Sequence, residues 1–122
     1  MKVVVVDLFA GMGGFTEGAI NAGADVILSV DSWGPAVAVH RDNHPESRVE
    51  QTLLGNPEWY IGLIKMLEQY RGSSIYPPYF HIHIHGSPPC QALSNASSTN
   101  AEEGMVLVNW FLDTIDKLKE AG

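Results

Sequence analysis

The chain begins with an unbroken run of β-branched residues that leads directly into a glycine-rich turn. The predicted strand covers residues 2–6, of which residues 3–6 are all valine, and the turn that follows carries Gly11, Gly13 and Gly14. A continuous apolar run without alternation is typical of a strand buried on both faces of a parallel sheet. Because parallel strands need a crossover connection, a helix and then a second strand are expected next.

The rest of the chain alternates helix and strand patterns. A helix is predicted over residues 15–22, capped by Gly23, and a strand over 25–30. Next come a helix over 36–42, with Ser32 as its cap and Pro35 in its first turn, a weak strand or loop over 49–54 and a helix over 58–70. The last predicted elements are a strand over 79–85 that begins after Pro77-Pro78, a polar loop over 92–104 and a helix over 105–119. This alternation predicts an α/β fold with a parallel sheet and helices on both faces.

Length and charge restrict the partners that the chain alone could hold. Its 122 residues fit one domain, and 14 acidic residues against 7 lysines and arginines give a net charge of −7 without any basic stripe. Such a chain does not grip a phosphate backbone alone, so nucleic acid would have to be attracted by another domain or subunit. The single cysteine and the lack of a leader or a membrane-spanning run predict a cytoplasmic protein, neither secreted nor membrane-bound.

Cys90 follows the last predicted strand, within Gly86-Ser87-Pro88-Pro89-Cys90-Gln91. The two prolines restrict the backbone and hold the sulfur at a defined exit from the strand. A free cysteine is often an inert, buried hydrophobic residue, which is the alternative to a catalytic role. The position between a strand end and a polar loop favours a nucleophile, provided that its surroundings stabilise the thiolate.

The glycine-rich turn and Asp31 lie where an open parallel sheet binds ligands, at the carboxyl ends of its strands. A dinucleotide fingerprint needs a glycine where Thr16 stands, which disfavours NAD. A tight turn without a ligand is the alternative. Asp31 ends the second strand, where a carboxylate can accept hydrogen bonds from both hydroxyls of a ribose. Capping of the next helix is its alternative role, and both functions are served if Ser32 caps while Asp31 binds.

Three ordered motifs together resemble the first half of a cytosine-C5 DNA methyltransferase: residues 7–14 (Asp-Leu-Phe-Ala-Gly-Met-Gly-Gly), Asp31 followed by Ala36, and Pro89-Cys90-Gln91 followed by Ser94. The resemblance implies a Rossmann-like, S-adenosylmethionine-dependent fold and no metal. It implies cofactor contacts from Phe9, Ala10, Gly11, Gly13, Gly14, Asp31, Ser32 and Pro89. In this interpretation Asp31 holds the ribose hydroxyls and Ser32 lies at the adenine edge. Cys90 would add to carbon 6 of a flipped-out cytosine, and residues 92–104 would close over the base.

Parts of that family's pattern are missing. The sequence has no Glu-Asn-Val segment, whose glutamate assists addition in the family, and no target-recognition domain. We therefore expect residues 1–122 to form a single partial catalytic domain with a truncated sheet, as a fragment or a split subunit. A complementary subunit would supply the glutamate and the recognition of DNA. The alternatives are a non-catalytic module that binds S-adenosylmethionine or a protein partner, and a relative that acts on cytosine in RNA.

Two further expectations concern the last strand and the tryptophans. If a neighbouring strand is missing, the outer edge of the strand over 79–85 is unpaired, which predicts a partner chain, self-association or poor solubility. The strand over 79–85 carries three histidines on one face, His81, His83 and His85. We expect ordinary packing or hydrogen bonding of these side chains, and zinc binding is the alternative. Core or helix packing, rather than base stacking, is expected of Trp33, Trp59 and Trp110.

Overall fold

The computed structural model describes residues 2–72, 80–88 and 98–122. In these ranges the strands are β1 (Lys2–Leu8), β2 (Asp25–Asp31), β3 (Val49–Gln51) and β4 (Phe80–Gly86), and the helices are α1 (Gly14–Asn21), α2 (Gly34–Asn43), α3 (Trp59–Arg71) and α4 (Ser98–Glu120). The four strands form one parallel sheet in the order β3-β2-β1-β4. The predicted α/β fold is confirmed. Within these described ranges, none of the helices has the length and apolar character needed to cross a bilayer.

The central strand β1 separates two helical layers. Val4, Val6 and Leu8 are fully buried in a core that they share with residues of α3 and α4, namely Leu63, Leu67 and Trp110. Asp7 points the other way and accepts a hydrogen bond from the Thr16 hydroxyl of α1, 2.9 Å away. Because successive strand residues face opposite sides, α1 covers one face of the sheet and α3 and α4 cover the other. The prediction of helices on both faces is confirmed.

The pairing of β1 with β4 fixes the relation between two loops. The two strands run in register from Lys2 opposite Phe80 to Leu8 opposite Gly86, and the Ser87 amide donates to the Leu8 carbonyl at 3.4 Å. Gly86 permits close packing of α4, since a Cβ there would lie 2.3 Å from the Phe111 ring. Among the described strands, β4 forms one edge of the sheet.

Most element boundaries differ from the prediction by one to three residues, and two of the differences affect the site. β1 continues through Leu8, so that Asp7 is a strand residue rather than part of the turn. α4 begins at Ser98, which makes the predicted loop wrong over residues 98–104. Polar composition suggested a loop, but alanine and glutamate at Ala101, Glu102 and Glu103 are good helix formers, and they extend the amphipathic helix that follows. Pro77, Pro78 and residues 92–97 lie outside the described residues.

Candidate functional site

The loop between β1 and α1 is held in a tight, strained conformation. Phe9, Gly11 and Gly13 all have positive φ angles, of 57°, 58° and 99°. A positive φ is uncommon for a residue other than glycine, and Phe9 is held there by packing of its ring edge-on against Trp110, with centroids 5.9 Å apart. The Ala10 amide donates to the Val30 carbonyl at 2.9 Å, which ties the loop to the end of β2.

Asp31 joins this loop to the start of α2. Its Oδ2 accepts from the Gly11 amide and its Oδ1 from the Trp33 amide, each at 2.9 Å. A carboxylate has about four acceptor positions, two on each oxygen. Asp31 therefore keeps one lone pair on each oxygen, which suits two neighbouring hydroxyl groups of a ligand.

The structure corrects two expectations next to Asp31. Ser32 does not cap α2: the N-cap residue is Trp33, which provides no side-chain cap, and the Asp31 carboxylate bonds the Trp33 amide instead. Trp33 is 63% exposed rather than packed in the core, whereas Trp110 is 7% exposed and Trp59 packs against it as expected. Gly23 does follow α1 with a positive φ of 91°, so its predicted capping conformation is confirmed.

An apolar rim surrounds this edge of the sheet. Met12, Trp33 and Leu53 follow β1, β2 and β3, and their exposed fractions are 61%, 63% and 80%. Large exposed apolar side chains after three adjacent strands, at the edge where such sheets bind ligands, make this edge a candidate binding surface. We define these three residues as the apolar rim.

His40 of α2 lies beneath the glycine-rich loop. Its side chain is fully buried, and neither ring nitrogen has a hydrogen-bond partner within the described part of the chain. Burial lowers the pKa of His40 below its ordinary value of 6.5, and the charge of His44 lowers it further, against weaker opposing effects of the Gly11 backbone, Asp7 and Asp31. The ring therefore fills space under the loop as a neutral group.

A second polar cluster lies on the α1 side of the sheet, where β1 and β4 end. Asp7 is fully buried, and its Oδ1 lies 3.2 Å from Nδ1 of His85, its register partner on β4. The Thr16 hydroxyl bonds both to Asp7 Oδ2, at 2.9 Å, and to the Ser29 hydroxyl, at 3.0 Å. The ring of Phe15 stacks on His85, with centroids 3.6 Å apart. We call these five residues the Asp7 cluster.

The three histidines of β4 share one face of the sheet, as predicted, and this is the face that α1 covers. His85 hydrogen-bonds Asp7, and the ring of His83 lies 5.8 Å from that of Phe15, which confirms packing and hydrogen bonding for these two. His81 is exposed. In the ranges that the structure describes, no group of three or more histidine, cysteine or acidic side chains is arranged to hold a metal ion.

Of the predicted site residues, the structure brings together the loop and Asp31, with Ser32 exposed beside them. Pro89 and Cys90 lie outside the described residues. Sequence reasoning missed the roles of Asp7 and His40, and it did not identify Asp7 as the hydrogen-bond partner of His85. Asp7 could have been found, since it directly follows a strand predicted to be buried on both faces, where a carboxyl group requires hydrogen-bond donors. His40 gave no signal in its helical pattern.

Comparison with known proteins identifies the family. The model of the C-5 cytosine-specific DNA methylase family matches residues 3–121. Type II methyltransferase M.HgiGI of Herpetosiphon aurantiacus is 34% identical over 112 residues, which are 90% of this chain and 75% of that protein. Type II methyltransferase M.HgiDI of the same organism is 33% identical over 110 residues, which are 88% of this chain but only 30% of that protein.

A solved structure agrees with these matches. It is that of an E. coli prophage-encoded protein assigned as a DNA modification methyltransferase; the TM-score is 0.56 at 29% identity, over 86% of this chain and 27% of that one. This chain thus spans under a third of the length of two of these three relatives. The sequence matches, the parallel sheet and the glycine-rich loop all agree. The chain belongs to the C-5 cytosine-specific DNA methylase family.

Proposed function

We propose that this chain carries the cofactor site and the nucleophile of a DNA (cytosine-5-)-methyltransferase, which methylates carbon 5 of cytosine through a covalent bond to Cys90. The observation that carries the proposal is the in-register pairing of β1 with β4, which ends at Leu8 and Gly86. The glycine-rich loop and the segment leading to Cys90 leave the sheet side by side, at the switch point where α/β sheets bind ligands. Cys90 follows Gly86 by four residues, a reach of at most about 14 Å.

S-adenosylmethionine is the cofactor of this family, and it supplies an electrophilic methyl group. The residues present fit it. The two free lone pairs of Asp31 suit the two ribose hydroxyls, and the positive φ angles of Gly11 and Gly13 bring the backbone close to the ligand without a Cβ. Phe9, Ala10 and Gly14 complete the loop side of the site, and Pro89 faces it in this proposal.

The apolar rim is the proposed place for the adenine ring. Its three residues follow adjacent strands, at the edge of the sheet where Asp31 ends β2. An adenine held there would cover apolar surface, worth about 25 cal/mol for each Å² removed from water. Ser32 lies between Asp31 and Trp33 of the rim and would contact the adenine edge.

Cys90 would perform the nucleophilic step. Carbon 5 of cytosine is a weak nucleophile, so the thiolate adds to carbon 6 and forms a C–S bond while the ring electrons move towards carbon 5. Carbon 5 then takes the methyl group and loses its proton, and the C–S bond breaks to restore the ring and the thiolate. The cytosine has to leave the base stack for this attack.

DNA binding and completion of the active site are proposed to need a complementary polypeptide. The chain has a net charge of −7 and no Glu-Asn-Val segment, so it supplies neither the expected phosphate attraction nor the assisting glutamate. The edge strand β4 offers backbone groups to which such a polypeptide could add a strand. The relatives are named Type II methyltransferases, which supports restriction–modification as the setting. The proposed location is the cytoplasm or the nucleoid.

Calorimetry with S-adenosylmethionine tests the cofactor site. We expect binding that weakens more than about tenfold in Asp31→Asn, because the charge that strengthens its hydrogen bonds is lost. Asp25→Asn is the matched control, since Asp25 begins the same strand and pairs with Lys2 instead. Absence of binding at millimolar cofactor, or equal loss in both variants, would contradict the proposed site.

Trapping on a 5-fluorocytosine oligonucleotide tests the nucleophile. With the cofactor and the proposed complementary polypeptide present, we expect a covalent adduct that Cys90→Ser abolishes, since the fluorine cannot leave as a proton does. Cofactor binding without an adduct would instead favour a non-catalytic module. An adduct on RNA but not on DNA would favour the RNA-directed relative.

A further inference from the structure

The Asp7 cluster contains a buried carboxyl group that the proposed chemistry does not use. Asp7 is fully buried, and its described side-chain partners are Thr16 and His85. Burial of a carboxyl group without hydrogen-bond donors costs free energy, so Thr16 and His85 each stabilise Asp7 in this position. His85 is the partner with an exposed side, since 29% of its side chain is accessible.

The partners of Asp7 come from the two segments that the proposed site needs. Thr16 and Phe15 are the third and second residues of α1, directly after the glycine-rich loop. His85 directly precedes Gly86, where β4 ends and the chain turns towards Cys90. The hydrogen bond from His85 to Asp7 and the stacking of Phe15 on His85 therefore connect the base of the cofactor loop to the base of the Cys90 segment.

We infer that His85 is a positioning residue that couples the cofactor loop to the Cys90 segment through its hydrogen bond to Asp7. This inference rests on the proposed function for the roles of the two loops. A ligand that orders the loop at the start of α1 shifts Phe15 and Thr16, and the His85–Asp7 bond carries that shift to β4. Coupling between sites is typically worth a factor of about 5 to 150.

Two amide variants isolate this hydrogen bond. His85→Asn places an amide N–H where Nδ1 stands, whereas His85→Gln places it nearer to Nε2, so only the asparagine keeps the donor to Asp7. Both variants lose the ring that stacks on Phe15, so a difference between them reports the hydrogen bond and not the packing. His81→Gln is the control, because His81 is an exposed residue on the same face of β4.

Alkylation of Cys90 by iodoacetamide gives the readout, since the chain has a single cysteine. The rate is measured by mass spectrometry with and without S-adenosylhomocysteine, and circular dichroism monitors the fold. In the wild type, His85→Asn and His81→Gln, we expect the ligand to change the rate about fivefold or more. In His85→Gln we expect the ligand-dependent change to disappear and the rate without ligand to differ from that of the wild type.

The outcomes separate this inference from the proposed function. Equal behaviour of the asparagine and glutamine variants, whether both match the wild type or both lose the effect, would overturn the role of the hydrogen bond. Failure of the wild type to bind S-adenosylhomocysteine would contradict the proposed cofactor site. The rate without ligand would then still decide the inference: a rate changed by His85→Gln and restored by His85→Asn supports it, and equal rates refute it.

Discussion

At Gly13, a side chain would meet two separate obstacles. The backbone has a φ of 99°, and an added Cβ would lie 2.9 Å from the buried His40 ring. We therefore predict that Gly13→Ala lowers the free energy of unfolding by more than about 1–2 kcal/mol, the cost of the left-handed conformation alone. Urea denaturation at constant pH measures this change.

Gly18→Ala is the matched control for Gly13→Ala. Gly18 is exposed within α1, and a Cβ there meets nothing within 4 Å. Alanine is the better helix former, so this variant should gain roughly 0.5–1 kcal/mol. Similar changes in the two variants would contradict the view that the loop itself requires a glycine.

His40 gives the protein a pH dependence whose sign follows from burial. Its folded pKa lies below 6.5, so the unfolded chain takes up a proton first as the pH falls. Stability is thus fully present above about pH 6.5 and is lost as the pH falls through the lowered pKa. We predict that His40→Leu removes this loss, so that the wild type loses more stability than the variant between about pH 7.5 and 5.5.

Urea unfolding at several pH values tests that prediction. His44 and the three histidines of β4 are present in both proteins, so the difference between them isolates His40. A difference in unfolding free energy that stays constant over this pH range would show that protonation of His40 does not oppose folding.

The sequence predicted the residues whose role follows from their position along the chain. Asp31 ends a strand, and its carboxylate indeed faces the glycine-rich loop. Trp33 was wrongly expected to be buried, because its exposure depends on how Asp31 sets the start of α2. The bond between Asp7 and His85 spans 78 positions, so it follows only from the register of β1 with β4.

At the scale of the elements, the hydrophobic periodicity predicted a helix or strand correctly where one face of the element is buried. It did not predict the element where the sequence shows no such face. The strands and the first three helices lie within a few residues of their predicted positions. The first turns of α4 were missed because serine, threonine and asparagine at residues 98–100 also favour loops. Local composition does not reveal that this segment continues a helix anchored further along by Trp110.

Trp110 anchors α4 to both the loop and α3. Its indole N–H donates to the Asn56 carbonyl at 2.8 Å, and its ring contacts Phe9 and Trp59. We predict that Trp110→Ala lowers the free energy of unfolding by about 3–5 kcal/mol, as typical for a buried tryptophan. Cofactor affinity should fall as well, because Phe9 loses the contact that holds its strained backbone.

Leu112→Ala is the control on the same helix. Leu112 is 54% exposed, so its truncation should change the unfolding free energy by less than about 0.5 kcal/mol. Denaturant unfolding followed by far-ultraviolet circular dichroism compares the two variants. Equal destabilisation would mean that α4 contributes through helix formation alone and not through the Trp110 contacts.

For the whole molecule, the strand order explains how a chain of this length brings two distant motifs together. The chain runs outwards from β1 to β3 and returns to the other side of β1 with β4. The glycine-rich loop and the end of β4 become neighbours by this reversal, although about 75 positions separate Gly11 from Gly86. The sequence predicted a parallel sheet, but pairing of β1 with β4 rests on tertiary packing that no local pattern contains.

The edge strand β4 predicts how the chain behaves in solution without a complementary polypeptide. Unpaired strand edges attract other strands, and two copies of one edge pair most simply across a two-fold axis. We predict self-association that grows with concentration and that the double substitution His81→Lys with His83→Lys suppresses, since lysines on an edge strand oppose pairing. Sedimentation velocity over a concentration series measures this self-association.

The matched control, Gln69→Lys with Asn109→Lys, adds the same two charges at exposed positions on α3 and α4 rather than on the edge strand. Both pairs bring the net charge of −7 closer to zero, which by itself favours association, so only a local effect at the edge can make the β4 variant more monomeric. A wild-type monomer at every concentration, or equal suppression by both pairs, would count against an open edge at β4.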